Sequence, residues 1–446
     1  MPAIVRQTMG RGLAKALLAD IQNSANEYYI GIGKSDLYNL EDTTITPIDS
    51  SHEEREFRNN LQSIKKVEGS SFVAKRVNWS SGTIYAGWDD YVDEDSPTAW
   101  YVMNDAKEVY ICLDVAKNLD GSPKPSLIEP NYNTLGVPYV DSFTTSDGYT
   151  WKLLYDISVD KIFKFVSSNH FPVEEGQLTL GAGETEAEME LQYFIKNAAI
   201  GGEIINAAVV TGGSAYTVAP TLTVIGDGSG ATAVAHVSGG AVTRIEMTAY
   251  GAGYTNASFQ IVGGGGTGCT IRAIITSADG IGFDPIVDLK TNAVMMHIRP
   301  DGKESNTFVV ENTFRQMGVI KNPLAPDTSA FVAVNGKIMS TLTLITSSPF
   351  ESGKTITGSV SGAIAHVNES VDAVVHFHQN ESTGFKPFVV GDIISQDGVV
   401  LTGEVASISL VNGINRLSGE VLYIENRHRI RRDIEQLEDI KIVITV

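Results

Sequence analysis

Gly33-Lys34-Ser35 is the stretch whose residue types come nearest to a phosphate-binding loop. A P-loop ends in the same order and needs another glycine five positions earlier, so that the backbone can wrap around a phosphate group. Tyr28 occupies that earlier position. The residues therefore predict a turn after a strand at Tyr28–Ile32, in preference to a nucleotide site.

Glycines at positions 226, 228 and 230, followed by Ala231, match part of a dinucleotide-binding fingerprint. That fingerprint opens a helix, whereas no helix-forming run follows these glycines. A similar pattern returns at Gly263–Gly266 and Gly268, which is typical of turns between short strands. We expect β-turns here and no bound cofactor.

His376 and His378 flank Phe377 in a strand-like stretch, and strand alternation places both imidazoles on one face. Imidazole is a common metal ligand, but a protein metal site normally needs three or four protein ligands. No third ligand of matching type lies nearby in the sequence. The prediction is two exposed histidines beside a buried Phe377, with no metal bound.

The remaining polar patterns indicate surface loops and no catalytic centre. The acidic cluster comprises Asp89, Asp90, Asp93, Glu94 and Asp95, and it lacks the central glycine and closing glutamate of a calcium loop. A solvated loop is expected there, and occasional binding of a cation stays open. The chain has no Gly-x-Ser-x-Gly elbow and no paired cysteines with zinc spacing. These features argue against an enzyme, although catalytic groups can converge from distant positions. We expect no catalytic residues.

The formal net charge of −20 argues against nucleic acid as a partner, because binding to the phosphate backbone needs a basic surface. The N-terminal residues lack the apolar run of a secretion signal, and no stretch approaches the ~18 apolar residues of a membrane span. Cys112 and Cys269 leave one disulfide open but provide no disulfide framework. The sequence predicts a protein that contacts no membrane, is made in the cytosol, and either stays there or leaves by a route other than secretion.

Aromatic and arginine side chains are the candidates for protein–protein contact, because such residues supply much of the binding energy of interfaces. The aromatic candidates lie in short strand-like fragments and are Trp79, Tyr85, Trp88, Trp100 and Trp151. The basic candidates follow Asn426 and are Arg427, Arg429, Arg431 and Arg432. An interface and a domain core both stay open for each aromatic residue. The arginines are expected to pair with acidic groups of this chain or of a neighbour.

The elements that would position these side chains are mainly strands. Residues 9–24 have the spacing of an amphipathic helix. Its apolar face would contain Leu13, Leu17, Leu18 and Ile21. Ser51-His52-Glu53-Glu54 is typical of a capping box and predicts a second helix. That helix would bury Phe57, Leu61 and Ile64.

Two internal repeats predict compact β modules. Tyr216 and Tyr254 are 38 residues apart, and so are Gly230 and Gly268. With the alternating strands around them, these residues predict a glycine-rich module of paired strands over 200–276. A shorter repetition begins at Phe350 and at Phe388 and predicts a second all-β module over 340–412.

The predicted fold class is mainly β with a few helices (α+β). We expect a multidomain chain of β-sandwich-like or barrel-like domains with inserted small β-repeat modules. The predicted parts are an N-terminal α+β part of the core (1–72), an aromatic-rich β domain (73–172), a linker or exposed loop (173–199), the first module (200–276), a return to the core (277–339), the second module (340–412) and C-terminal strands that complete the core (413–446).

Five separated blocks together resemble one family, the baseplate wedge subunit of T-even-type contractile-tailed phages, the product of gene 8. The blocks are Tyr29–Ser35, Val109–Val115, Asp147–Ile157, Phe314–Leu324 and Ser418–Arg427. The blocks comprise 46 of the 446 residues, and their order and scatter along the chain carry the resemblance. None of them is a catalytic motif. The two glycine-rich modules depart from the family's pattern, so we expect surface insertions whose ends lie close together.

The resemblance implies a structural virion protein of a myovirus tail, assembled in the host cytoplasm, and no enzyme. It implies a homodimer that docks other baseplate wedge proteins and stabilises the baseplate before contraction. One alternative is a receptor-binding tail-fibre adhesin, in which the glycine-rich modules would be the functional part. The other is a tail-associated glycan-active enzyme, which would need paired carboxylates in a groove.

The C-terminal strands are expected to complete a core that the N-terminal part begins. Glu420–Glu425 and Ile440–Val446 have the β-branched, aromatic and aliphatic content of strands. An apolar terminus is normally tied into a sheet, since free termini fray. Both stretches are therefore predicted to join a sheet with Tyr28–Ile32.

Overall fold

The computed structural model of the chain describes residues 6–35, 45–91, 96–135, 141–174, 191–304, 306–346, 350–409 and 414–446. The fold is mainly β, with several sheets, one closed barrel and a few helices, which confirms the predicted class. The chain forms two compact units. Unit 1 comprises Met1–Ala14, Ser71–Val294 and Ile444–Val446, and unit 2 comprises Lys15–Ser70 and Met295–Val443.

The helices of the described ranges are α1 (Gln7–Gln22), α2 (Ser51–Asn60), α3 (Val159–Phe165), α4 (Leu191–Asn197) and α5 (Pro285–Asp288), with a 3-10 turn at Tyr132–Leu135. Helix α1 confirms the prediction over 9–24, but Leu13 is 48% exposed and Ala14 lies on the buried face instead. Helix α4 lies at the end of the predicted linker, where Ile195 is fully buried, and residues 175–190 of that range are outside the described residues. None of the described helices combines the length and apolar character needed to cross a bilayer.

The strands of the described ranges are, in chain order, β1 (Tyr28–Gly33), β2 (Leu61–Lys66), β3 (Gly69–Lys75), β4 (Tyr101–Met103), β5 (Glu108–Asp114), β6 (Phe143–Thr144), β7 (Thr150–Asp156), β8 (His170–Pro172), β9 (Ile204–Ser214), β10 (Thr221–Gly226), β11 (Thr232–Ser238), β12 (Ala241–Ala249), β13 (Ala257–Val262), β14 (Thr267–Ile275), β15 (Ala293–Ile298), β16 (Asn312–Lys321), β17 (Asn335–Lys337), β18 (Ser340–Leu344), β19 (Thr355–Gly358), β20 (Ile364–Val371), β21 (Val374–His378), β22 (Ile393–Gln396), β23 (Val399–Ser409), β24 (Glu420–Arg432) and β25 (Ile440–Thr445).

The start and end of helix α2 both differ from the prediction. The Ser50 hydroxyl accepts a hydrogen bond from the Glu53 amide (3.2 Å), so Ser50 is the N-cap residue and the helix begins after it. Leu61 and Ile64 are buried as expected, but they belong to β2. Pairing of β2 with β1 outweighs the helical spacing of these apolar residues, because tertiary contacts routinely override local propensity.

Unit 2 contains a five-stranded sheet in the order β17-β2-β1-β16-β24. All neighbouring pairs are antiparallel, and Gly318 of β16 lies opposite both Gly31 of β1 and Ile424 of β24. The core of this sheet includes Tyr29 and Phe57, and Phe57 comes from helix α2. The N-terminal strand and the long C-terminal strand are thus joined through β16.

The predicted closure of the core is correct for one C-terminal strand and wrong for the other. Glu420–Glu425 lies in β24, in the same sheet as β1. The last strand, β25, instead lies beside β15 in a different sheet. Strand β1 is already paired on both edges by β2 and β16. Apolar alternation predicts a strand, but it does not specify which sheet edge that strand joins.

Strands β18–β23 of unit 2 form a closed barrel in the order β18-β21-β20-β19-β22-β23. The barrel lies within the range 340–412 that the sequence assigns to the second module. Its interior is apolar and includes Leu342, Ile356, Val375 and Phe377. The first strand pairs with the last, with Thr341 opposite Ser409, so the chain enters and leaves the barrel at adjacent strands.

Unit 1 contains a four-stranded sheet in the order β4-β5-β7-β6, built from the aromatic-rich stretch. Cys112 of β5 lies opposite Trp151 of β7. The strands that precede and follow this sheet in the sequence, β3 and β8, pair with each other. These strands supply the backbone that carries the aromatic candidates.

The glycine-rich module of unit 1 consists of two copies of a three-strand unit, β9–β11 and β12–β14, offset by 38 residues. The copies exchange strands: β11 pairs with β12 of the other copy, and β14 pairs with β9. The pair Thr232–Ala249 in the first contact corresponds to Thr270–Thr211 in the second. Strands β10 and β13 pair between the copies. Neither copy completes its pairing alone.

Candidate interaction sites

Trp151 and Tyr85 belong to an aromatic cluster inside unit 1. Trp151 is fully buried, and its ring stacks on Tyr149 with centroids 5.7 Å apart. The Tyr85 ring meets Trp151 edge-on at 5.7 Å. The Tyr149 hydroxyl donates a hydrogen bond to the carbonyl oxygen of Lys124 (2.6 Å). This cluster is a packed core, which is the second of the two interpretations that the sequence left open.

Trp88 and Trp100 are also internal. Both indole N–H groups point to the backbone carbonyl of Asp288, at 3.2 Å and 3.5 Å respectively. The Lys290 ammonium lies 5.2 Å from the centroid of each ring, within the range of a cation–π interaction. Trp79 is half-buried and packs on the same aromatic core, and its indole N–H donates to the Ser126 hydroxyl (3.1 Å). The four tryptophans and Tyr85 hold unit 1 together and offer no open aromatic anchor.

Arg432, the last of the arginine candidates, is buried in unit 2. Its Nε lies 2.8 Å from both carboxylate oxygens of Glu438. Its two terminal nitrogens donate to the carbonyls of Val309 (3.0 Å) and Gly302 (2.8 Å). All three nitrogens of the guanidinium therefore have internal acceptors, and Arg432 is a structural residue.

The other three arginines of β24 lie at the surface. Arg431 pairs with Glu311 (2.5 Å) and Asp433 (3.4 Å), and Arg427 pairs with Glu425 (3.1 Å). Arg429 is exposed and forms no ion pair with any described residue. Exposed ion pairs are weak, so these side chains can exchange their partners at low cost. Of the nine candidates, Arg427, Arg429 and Arg431 are the ones that the structure places on an accessible strand.

The histidine pair departs from the prediction. Phe377 is buried as expected, but His378 is buried too, stacks on His366 (centroids 5.1 Å apart) and contacts Asn368 Oδ1 through Nδ1 (2.8 Å). The outer surface of the barrel is covered here, because Asn368 reaches the Ser35 hydroxyl (3.5 Å) within unit 2. Strand alternation predicts the face on which a side chain lies, but not what covers that face.

Among the described residues, no group of three or more His, Cys, Asp or Glu side chains could hold a metal ion. Two residues of the acidic cluster, Asp89 and Asp90, bind the Arg272 guanidinium at 2.5 Å and 2.7 Å. The other three, at positions 93–95, are outside the described residues. Cys112 and Cys269 are both free thiols.

A polar groove of about 650 Å³ in unit 1 is lined by the carboxylates that a glycan-cleaving alternative would use, namely Asp114, Asp147 and Glu246. Glu246 pairs with His236 (2.8 Å). Asp114 accepts a hydrogen bond from the Asn206 amide (2.8 Å), and Asp147 accepts from the backbone amides of Leu127 (2.7 Å) and Ile128 (2.9 Å). Burial by itself raises the pKa of Asp147, but hydrogen bonds from neighbouring hydroxyl and amide groups lower it below its ordinary value. Asp114 and Asp147 hold loops in place, and Asp147 is poorly suited to donate a proton.

The geometry of these sites is that of packed β cores, exposed strand surfaces and polar loops held by local hydrogen bonds. No protein-family model matches the chain, and comparison with curated proteins gives no match.

Proposed function

We propose that the protein is a structural subunit of a contractile phage tail, of the baseplate-wedge type. It acts as a homodimer that docks other wedge proteins and stabilises the baseplate before contraction. It is assembled in the host cytoplasm and resides in the virion. Its structural role requires many protein–protein contacts of moderate strength and no catalysis.

The observation that carries this proposal is the pairing of the blocks that resemble the family. Tyr29–Ser35, Phe314–Leu324 and Ser418–Arg427 coincide with β1, β16 and β24, which are successive neighbours in one sheet. Val109–Val115 and Asp147–Ile157 coincide with β5 and β7, which pair in another sheet. Three blocks that begin at positions 29, 314 and 418 thus meet in one sheet, as the parts of a common scaffold would.

The two glycine-rich modules, which depart from the family's pattern, are compatible with the same proposal as insertions. Each begins and ends at paired strands: Ile204 lies opposite Ile275 in the first, and Thr341 lies opposite Ser409 in the second. Such insertions can be accommodated by a scaffold without rearranging it, because their ends are already adjacent. They add surface to a structural subunit, and the scaffold strands keep their pairing.

Crosslinking of purified phage particles followed by mass spectrometry tests the proposal. We expect crosslinks from lysines of this chain to other baseplate proteins and between two copies of the chain. The module over 200–276 contains no lysine, so we expect the crosslinks to come from exposed lysines of the barrel, Lys354 and Lys386, and of the scaffold, such as Lys75. Crosslinks confined to tail fibres, with none to baseplate subunits, would contradict the assignment.

A tail-fibre adhesin remains the second candidate, because the outward face of β10 and β13 carries no charged residue. In a chain of net charge −20, this face consists of Thr221, Thr223, Ile225, Ser258, Gln260 and Val262. Light scattering on the purified protein separates the two candidates. A compact particle of twice 47.9 kDa supports the wedge subunit, whereas an extended trimer supports the fibre.

A further inference from the structure

Strand β24 has one edge that no described strand pairs with. It is the last strand of the five-stranded sheet of unit 2, and its one partner there is β16. With 13 residues it is also the longest of the described strands. An unpaired edge presents a row of backbone N–H and C=O groups that another strand can bind. Proteins commonly keep such edges short, so a long one indicates a surface for strand addition.

The backbone groups of Ile424 face this free edge. The amide of Asn322, directly after β16, donates to the Glu27 carbonyl (2.7 Å), so the even-numbered residues at this end of β16 bond to β1. By strand alternation the odd-numbered ones, such as Val319, bond to β24. Tyr423 lies opposite Val319, so Tyr423 bonds to β16 and Ile424 turns its N–H and C=O outward.

A groove of about 560 Å³ runs beside this edge, between β24 and the start of α2. It is lined by four consecutive strand residues, Val421–Ile424, and by residues 47–51 and Glu54. Successive side chains of a strand lie on opposite faces, so a groove that touches all four follows the edge of the strand. Ile48 and Leu422 contribute exposed apolar surface to it. The groove therefore has room for an added strand and apolar surface for that strand to cover.

The charges along β24 are divided between its two halves. The first half carries Glu420 and Glu425, and the second carries Arg427, Arg429 and Arg431 at the surface. Glu420 and Arg429, one in each half, are exposed and form no ion pair with any described residue. The strand is thus complementary to an antiparallel copy of itself, whereas parallel copies would bring like charges together.

The other charges of the strand are balanced within the chain by surface pairs. Arg427 pairs with Glu425 (3.1 Å), and Arg431 pairs with Glu311 (2.5 Å) and Asp433 (3.4 Å). Surface ion pairs are weak and exchange partners at low cost. They therefore leave the division of charge along β24 available to a second copy.

The groove adds negative charge beside the first half of β24. Asp49 lines it, is exposed and forms no ion pair with any described residue. Glu54 also lines it and pairs with Arg58 (2.8 Å). Lys321 of β16, which lies opposite the start of β24, pairs with Asp20. The surroundings of the first half are therefore acidic and fit the basic half of an incoming strand.

We propose that two copies of this chain associate through the free edges of their β24 strands, which pair antiparallel across a two-fold axis. This inference rests on the proposed homodimer and names its interface. The arginines of one copy then lie beside the acidic half and the groove of the other, and the symmetry forms this contact twice. Backbone hydrogen bonds between the two edges supply affinity, and the opposite charges fix the direction of pairing.

Sedimentation equilibrium of the purified full-length protein at low ionic strength tests the inference. We expect a dimer for the wild type. Glu420→Lys and Arg429→Glu should each raise its dissociation constant by about tenfold or more, because each places like charges together at both symmetric contacts. Glu404→Lys and Lys386→Glu are the matched controls, since both residues are exposed on the barrel and lie outside the groove. The controls should leave the dissociation constant unchanged.

An equimolar mixture of Glu420→Lys and Arg429→Glu separates antiparallel self-pairing from a general loss of stability. In the mixed dimer the introduced lysine lies beside the introduced glutamate, and the native Arg429 lies beside the native Glu420, so attraction returns at both contacts. We expect the mixture to form heterodimers with the affinity of the wild type. Fluorescence-detected sedimentation with one variant labelled measures this.

A monomeric wild type would overturn the inference and show that the arginines and the irregular register of β24 protect this edge from pairing. So would a dimer that the β24 variants weaken no more than the controls do, or a mixture that fails to recover. A dimer insensitive to the β24 variants would leave the proposed homodimer standing with another interface. Crosslinks confined to tail fibres would contradict the proposed function and leave this interface standing.

Discussion

At the scale of single residues, burial decides the role of a charged group more than its type does. Arg431 and Arg432 are adjacent in sequence, yet Arg431 is exposed and Arg432 is enclosed by acceptors. Asp288 is a similar case in unit 1. It is fully buried, and its Oδ2 accepts a hydrogen bond from the Gly282 amide (2.7 Å). Burial raises the pKa of Asp288 to about 7.

We predict that Asp288→Asn stabilises the protein at alkaline pH. The folded state binds the Asp288 proton more tightly than the unfolded chain does. Its contribution to stability is therefore complete below the unfolded pKa of about 3.8 and is lost as the pH rises through about 7. The asparagine removes this buried charge, so the free energy of unfolding at pH 8 should rise by about 1–3 kcal/mol. Urea unfolding between pH 5 and 8 measures the effect.

The control for this prediction is Asp160→Asn, since Asp160 is an exposed carboxylate on α3. It should leave the pH dependence of unfolding unchanged. Part of the wild-type slope will persist in Asp288→Asn, because burial also raises the pKa of Glu203 to about 7. If the stability of Asp288→Asn at pH 8 were unchanged or reduced, the charge of the buried carboxylate would already be balanced by neighbouring groups in the wild type.

At the scale of elements, the glycine-rich module shows why its repeated residues are needed. The ring of Tyr254 in the second copy packs against Gly228 in the first, and the ring of Tyr216 packs against Gly266 in the second. A Cβ atom at Gly228 would lie 2.5 Å from the Tyr254 ring, and one at Gly266 would lie 2.4 Å from the Tyr216 ring. These distances are too short for any side chain, so the close approach requires glycine.

We predict that Gly228→Ala and Gly266→Ala destabilise the protein by similar amounts, about 1–3 kcal/mol each, because each forces a tyrosine ring out of its packing position. The equality follows from the equivalence of the two copies. Thermal unfolding followed by circular dichroism measures it. Gly12→Ala in α1 is the control, since its Cβ would meet no atom within 4 Å and alanine favours a helix. If both module variants had the melting temperature of the wild type, the packing argument would be wrong.

At the scale of the whole molecule, the barrel of unit 2 is an insertion that should be separable from the scaffold sheet. Replacement of residues 341–409 with a Gly-Ser-Gly linker joins ends that are already paired. We expect the amides of β1, β16 and β24 to remain protected from hydrogen exchange, because their pairing involves no barrel strand. Hydrogen–deuterium exchange with mass spectrometry measures this.

The control for the excision is the same linker in place of residues 313–320, which removes most of β16. Since β16 joins β1 to β24, its loss should abolish protection in β24 and reduce it in β1, which still has β2 on its other edge. Loss of protection after the barrel excision alone would mean that the barrel and the sheet fold as one cooperative core.

The sequence by itself determined the local features of this protein. Apolar spacing predicted α1, and the 38-residue offset predicted a repeated β module with glycine turns, because periodicity and turn chemistry are local properties. The mainly β class follows from the same signals. The basic run after Asn426 was also visible, but no local signal showed that its strand lies at the edge of a sheet.

Only the tertiary structure decided which side chains are inside and which strands are neighbours. Tryptophans are used both in cores and in interfaces, so their type could not separate the two, and packing around Trp151 did. Leu61 lies in a strand, and β25 lies in a sheet separate from that of β1. Both outcomes depend on which sheet edges are free to pair, and apolar spacing does not encode this. Among the described strands β24 pairs with β16 alone, and Asp49 lies beside its other edge through the path of the chain around the sheet, which no short stretch of the chain encodes.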